Sequence, residues 1–104
     1  MDIEEFKNKL RKYKKNDIII TDHALLRADF RHTELDEVKE NIVHPDKLVY
    51  FKEQPAKKPN EKKYECYFAY SEDLSHKYVF AINGKIIIVT IIIINRKWQG
   101  MISK

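Results

Sequence analysis

From Ile86 to Ile94 the chain reads Ile-Ile-Ile-Val-Thr-Ile-Ile-Ile-Ile, nine residues that are β-branched without exception. Branching at Cβ restricts χ1 and favours the extended backbone, so this stretch is a strand before anything else. It shows no apolar–polar alternation. A strand that is apolar on both sides sits inside its sheet and is covered on each face over at least part of its length. The run is also about half of the roughly 20 residues a membrane-spanning helix needs. The rest of the chain must therefore supply neighbouring strands and a covering layer.

The neighbours are legible upstream. Lys47 to Glu53, Tyr64 to Ser71 and His76 to Asn83 are rich in Val, Tyr, Phe and Ile, and with Lys85 to Asn95 they make four strands in sequence. Asn83-Gly84 is the strongest hairpin signal, and Ser71 to Ser75 is a second short connection. Between the first two strands, Gln54 to Lys63 carries Pro55, Pro59 and four lysines and reads as an exposed, mobile loop. Alternation places Tyr64, Cys66, Phe68 and Tyr70 on one face with Tyr67 on the other, and Tyr78, Phe80 and Ile82 repeat the inner pattern. Most of these aromatics are core residues or cross-strand pairs, and a tyrosine on the helix-free face is a candidate stacking platform or proton donor.

Helices precede the strands. Ile3, Phe6, Leu10 and Tyr13 recur at helical spacing, with Asp2 as cap and Glu4 and Glu5 at the positive end of the dipole. Ile18-Ile19-Ile20 reads as a short edge strand. Thr21-Asp22 opens a second helix from Asp22 to Phe30, and Thr33 with Asp36 reads as a short capping box for a third. Leu35, Val38 and Ile42 are its apolar stripe, and His44-Pro45 ends it. The expected fold is α+β, with two to three N-terminal helices on an antiparallel sheet of four consecutive strands, or five if Ile18 to Ile20 joins an edge.

All 104 residues fit one domain, divided into a basic N-terminal helix over 1–16, a core over 18–95 and a basic tail over 96–104. The lone Cys66 excludes an internal disulfide framework and a multi-cysteine zinc site, and in an apolar strand it is expected to be buried and inert. The opening MDIEEFKNKL lacks a signal peptide's apolar core, so a cytoplasmic protein without membrane association is expected. Two glycines leave no Gly-rich phosphate loop, no paired metal-histidine spacing occurs, and no cofactor or metal is expected. The net charge of +4 is concentrated in blocks, six cations between Lys7 and Lys15 and four between Lys57 and Lys63. Such blocks are solvated faces or contacts to a polyanion, with nucleic acid the leading partner class.

The chemistry concentrates on the second helix. His23, Arg27 and Arg31 fall at i, i+4 and i+8, one slowly drifting stripe of helix surface. Neighbouring guanidinium groups repel unless an anion lies between them, and a phosphate suits that place. The same cations disfavour protonation of His23 and keep it available as a base. The plainer alternative is that Asp22, Asp29, Glu34 and Asp36 pair with the arginines in a structural network.

The stretch Thr21-Asp22-His23-Ala24-Leu25-Leu26-Arg27-Ala28-Asp29-Phe30-Arg31 resembles the opening motif, His-Ala-x-x-Arg-x-x-x-Arg, of a small domain family of largely unassigned function. A short strand before the motif, a helix like Leu35 to Ile42, a segment like His44-Pro45-Asp46-Lys47-Leu48-Val49 and a strand like Ile88-Val89-Thr90-Ile91 extend the resemblance over about Ile18 to Asn95. One departure is His32, which stands where the family has glycine. The resemblance implies the fold shared by RelE-like toxins, barnase, EndoU and colicin nucleases. It further implies an RNA-cleaving toxin paired with an antitoxin protein, acting on free or ribosome-associated RNA.

Under that implication His23 is the base or acid of a metal-independent transesterification, and Arg27 and Arg31 hold the scissile phosphate. His76 and His32 are secondary acid–base candidates, while His44 is read as a helix-end residue. Lys14 and Lys15 after the first helix, and Arg96, Lys97 and Trp98 after the isoleucine strand, are candidate nucleic-acid contacts, with Trp98 stacking on a base or closing the core. A non-catalytic RNA- or protein-binding module is the competing expectation, and an exposed sheet face making homo-oligomer contacts is a third.

Overall fold

The computed structural model describes residues 1–30 and 34–95, with the side chains of residues 27–30 excepted. The first helix, α1 (Ile3–Arg11), begins where Asp2 accepts a hydrogen bond from the Glu5 amide at 2.8 Å. A single 3-10 turn (Lys15–Asp17) leads into β1 (Ile18–Ile20), and α2 (Asp22–Phe30) follows, its first turn capped by the Thr21 hydroxyl accepting from the Ala24 amide at 3.2 Å. The third helix, α3 (Leu35–Val43), starts at Glu34 without a side-chain cap. Thr33, the expected cap, lies outside the described residues, and Asp36 is taken up by Lys15 at 3.1 Å instead of closing a capping box. His44 ends α3, donating its amide to the Glu40 carbonyl at 2.9 Å, with its ring 3.8 Å from the Glu40 carboxylate.

The strands are β2 (Leu48–Gln54), β3 (Lys62–Ala69), β4 (Leu74–Asn83) and β5 (Lys85–Asn95), in one sheet of order β1-β5-β4-β3-β2. The meander from β2 to β5 is antiparallel as expected, with Gly84 at φ 70° in its last turn. The sheet as a whole is mixed, not antiparallel. β1 takes the edge beside β5 and runs parallel to it, Ile18 opposite Ile86 and Ile20 opposite Ile88. Two helices and three strands separate β1 from β5, so no hairpin dictates their relative direction. The Thr21 amide extends the pairing by donating to the Ile88 carbonyl at 3.0 Å. Past that point α2 packs along β5.

A bulge interrupts β5. Phe80 lies opposite Ile88 and Val79 opposite Thr90, which leaves Val89 as an extra, bulged residue. The bulge resets the face, so that Ile86, Ile88 and Ile91 all point into the core and are fully buried. Ile87, Val89, Ile92 and Ile94 are only half-buried. The inner face of β5 is therefore fully covered and its outer face partly covered, as a strand apolar on both sides requires.

All three helices contribute to that core. Phe6 and Leu10 of α1, Ala24 of α2 and Val38 and Ile42 of α3 join Leu48, Tyr64, Cys66, Phe68, Tyr78 and Phe80 of the sheet in one cluster. Phe6 stacks on Phe51 at 4.2 Å between centroids and tilts against Tyr64 at 4.7 Å. The basic N-terminal helix is thus part of the packed domain. No helix among the described residues is long and apolar enough to cross a membrane.

Candidate functional site

On α2, His23 occupies the first turn, exposed to solvent. Its backbone is fixed from two sides, by the Thr21 cap and bond to β5 and by the fully buried Ala24. The imidazole makes no hydrogen bond or ion pair with another described residue. Arg27 lies one helical turn farther on, but its side chain, like Arg31 and His32, is outside what the structure describes, as are Arg96, Lys97 and Trp98.

The two lysines after α1 differ in their surroundings. Lys14 is exposed, and its amide donates to the Asp17 carboxylate at 2.9 Å. The Lys15 ammonium lies 2.9 Å from Glu40 and 3.1 Å from Asp36, and bonding to these carboxylates raises its pKa. A lysine held by two acidic groups is engaged in joining the segment before β1 to α3, and it offers an incoming phosphate less charge than the sequence suggested.

A buried polar network surrounds His76. Its Nδ1 is 2.6 Å from the Tyr78 hydroxyl, and its ring stacks on Tyr70 at 4.3 Å. The Asn41 amide nitrogen donates to both Tyr78 (2.9 Å) and Tyr70 (2.7 Å), and the Tyr70 hydroxyl donates to the Glu37 carboxylate. Tyr78 accepts from Asn41, and Nδ1 of His76 is the acceptor within reach of its own proton, an arrangement in which the imidazole is neutral with its proton on Nε2. Burial lowers the His76 pKa, and nearby Lys47 adds to this while Glu37 opposes it. Burial first, and then the Glu37 carboxylate, push Tyr70 up to about 12, against the opposing Asn41 bond; burial alone dominates the larger rise at Tyr78. Every donor is satisfied except Nε2–H, which has no partner among the described residues. With 5 % of its surface exposed, His76 is a core histidine held neutral. Cys66 behaves as expected, fully buried with its thiol pKa raised by desolvation.

The helix-free face carries a second group of side chains. Tyr50 is 51 % exposed and lies opposite Tyr67, with ring centroids 5.6 Å apart. The Lys77 ammonium sits 5.6 Å from the Tyr67 ring centroid and 2.7 Å from the Glu65 carboxylate. Tyr67 and Gln54 also donate to Glu65, and these bonds, Lys77 foremost, lower its pKa. One acidic group on this face is therefore neutralised in place. Strand parity hides Tyr50, because counting by two from the buried Leu48 puts it inside. A bulge between Leu48 and Tyr50 turns it outward, and nothing in the local sequence signals that bulge.

At the other end of the same face, the connection between β2 and β3 folds back over the sheet. Lys57, Lys58 and Glu61 join Lys63, Ala81, Ile87 and Val89 around a cavity of about 370 Å³. None of the three lysines is ion-paired with a described residue. Among the described residues no three His, Cys, Asp or Glu side chains come together as a metal site requires. Comparison with family models, with curated proteins and with solved structures returns no match.

Proposed function

We propose that this protein acts on RNA, as a metal-independent endoribonuclease of the toxin type whose activity an antitoxin protein restrains. What supports the reading is His23: a solvent-facing imidazole with no described partner, held on the capped first turn of α2, in a stretch whose spacing adds Arg27 and Arg31. His23 takes the proton of a ribose 2′-hydroxyl. The 2′ oxygen bonds to phosphorus, and the bond to the 5′ oxygen breaks. That oxygen leaves with a proton from water, giving a 2′,3′-cyclic phosphate and a 5′-hydroxyl. The two guanidinium groups bear the charge that accumulates on the phosphoryl oxygens. His76 belongs to the fold in this scheme, because its Nδ1 is occupied by Tyr78.

The test is to incubate the purified protein with a defined RNA in the presence of a chelator and to map the product ends. Cyclic phosphate and 5′-hydroxyl ends support the assignment, and intact RNA contradicts it. A second reading, a non-catalytic RNA-binding module, is favoured by the exposed Tyr50–Tyr67 pair with Lys77, which has the make-up of a base-stacking platform. Binding without cleavage separates it from the first.

A further inference from the structure

The cavity on the helix-free face joins two chemistries. Its floor, Ala81, Ile87 and Val89, is apolar, and its rim brings Lys57, Lys58 and Lys63 together with a single carboxylate, Glu61. Three ammonium groups without carboxylate partners repel one another, and an anion between them relieves that repulsion. An apolar floor beneath them asks for a ligand with a flat, weakly polar part beside its charge. A nucleotide combines both, and a cavity of about 370 Å³ lies in the range of small-molecule sites. Glu61, also without an ion-pair partner among the described residues, adds an acceptor for a base amino group or a ribose hydroxyl.

The cavity lies on the face of the sheet opposite the helices, its floor formed by outward side chains of β4 and β5. We propose that this cavity is a nucleotide subsite for single-stranded RNA, its phosphate held by Lys57, Lys58 and Lys63 and its base lying on Ile87 and Val89. The proposal rests on the RNA reading above.

Binding is measured apart from cleavage, with a fluorescently labelled single-stranded RNA octamer whose riboses are 2′-O-methylated and cannot attack the phosphate. The full-length protein is titrated by anisotropy as wild type, as a Lys57→Ala/Lys58→Ala pair, as Lys63→Ala, and as a Lys12→Ala/Lys39→Ala pair that removes the same charge elsewhere. Loss of about tenfold or more in the cavity pair, with a salt slope lower by about 1.4 for two lost phosphate contacts, is the expected result. The Lys12/Lys39 pair is expected to lose less than threefold. Equal losses in the two pairs, or no wild-type binding, overturn the subsite. Unmodified RNA that is bound through these lysines yet never cut leaves the subsite standing and removes the nuclease.

Discussion

The Tyr78 hydroxyl and Nδ1 of His76 lie 2.6 Å apart beneath α3, with His76 5 % exposed and Tyr78 fully enclosed. Asn41 donates to Tyr78 from the other side, so the phenolic proton has one acceptor, the imidazole. Protonating Nδ1 would set a second donor against that hydroxyl and place a charge where little water reaches it.

Stability is therefore expected to fall in mild acid. The folded value of His76 lies below the ordinary 6.5, chiefly through burial. Above pH 6.5 neither state binds the proton. Below it the unfolded chain takes up a proton that the folded chain resists, and stability declines until the folded value is reached. Thermal melts between pH 7.5 and 5 should show Tm dropping from about pH 6.5 downward in wild type. His76→Gln, which still accepts from Tyr78, should show a flatter profile. Parallel profiles for the two proteins would contradict this account of His76.

Asn41 is the hub of the network, and its loss should be costly out of proportion to its size. Asn41→Leu strips both phenols of their donor inside the core, and about 2–3 kcal/mol of destabilisation in urea is expected. Adding Tyr78→Phe should recover part of that cost. A double-mutant cycle with no coupling between Asn41 and Tyr78 would show that the hydrogen bond contributes nothing.

Phe6 tests whether α1 belongs to the domain. It is fully buried, stacked on Phe51 and tilted against Tyr64. Phe6→Ala is expected to cost roughly 3–5 kcal/mol by equilibrium unfolding, as for other buried aromatic truncations. A loss below 1 kcal/mol would mean that α1 docks weakly and that the sheet stands without it.

Much of the fold is legible from period and punctuation. Phe6 and Leu10 announce the buried face of α1, Asp2 its cap, Asn83-Gly84 the last hairpin, and the bounds of α2 and β5 follow from the residues alone. What escapes is what depends on distant pairing. No local pattern tells β1 to run parallel to β5, and the bulges at Val89 and beside Tyr50 change faces without a glycine or proline to mark them. The site divides in the same way. His23 stands out as an imidazole spaced with two arginines, whereas Lys57 and Lys58 meet Lys63, Ile87 and Val89 only because a loop folds back over the sheet. In the sequence those lysines read as a charged block, a solvated face or a contact to a polyanion. Lys15 shows the converse, a cation prominent in the sequence that is already held by Asp36 and Glu40.

The central claim, that His23 performs the chemistry, is tested most directly by the single-turnover cleavage rate of an RNA oligonucleotide by wild type and by His23→Ala at matched concentration. His23 is exposed and without a described partner, so the variant should keep the wild-type Tm. Its rate should fall by about 10²-fold or more, as expected for loss of a general base. Equal rates for the two proteins, or no cleavage by wild type, would contradict the account.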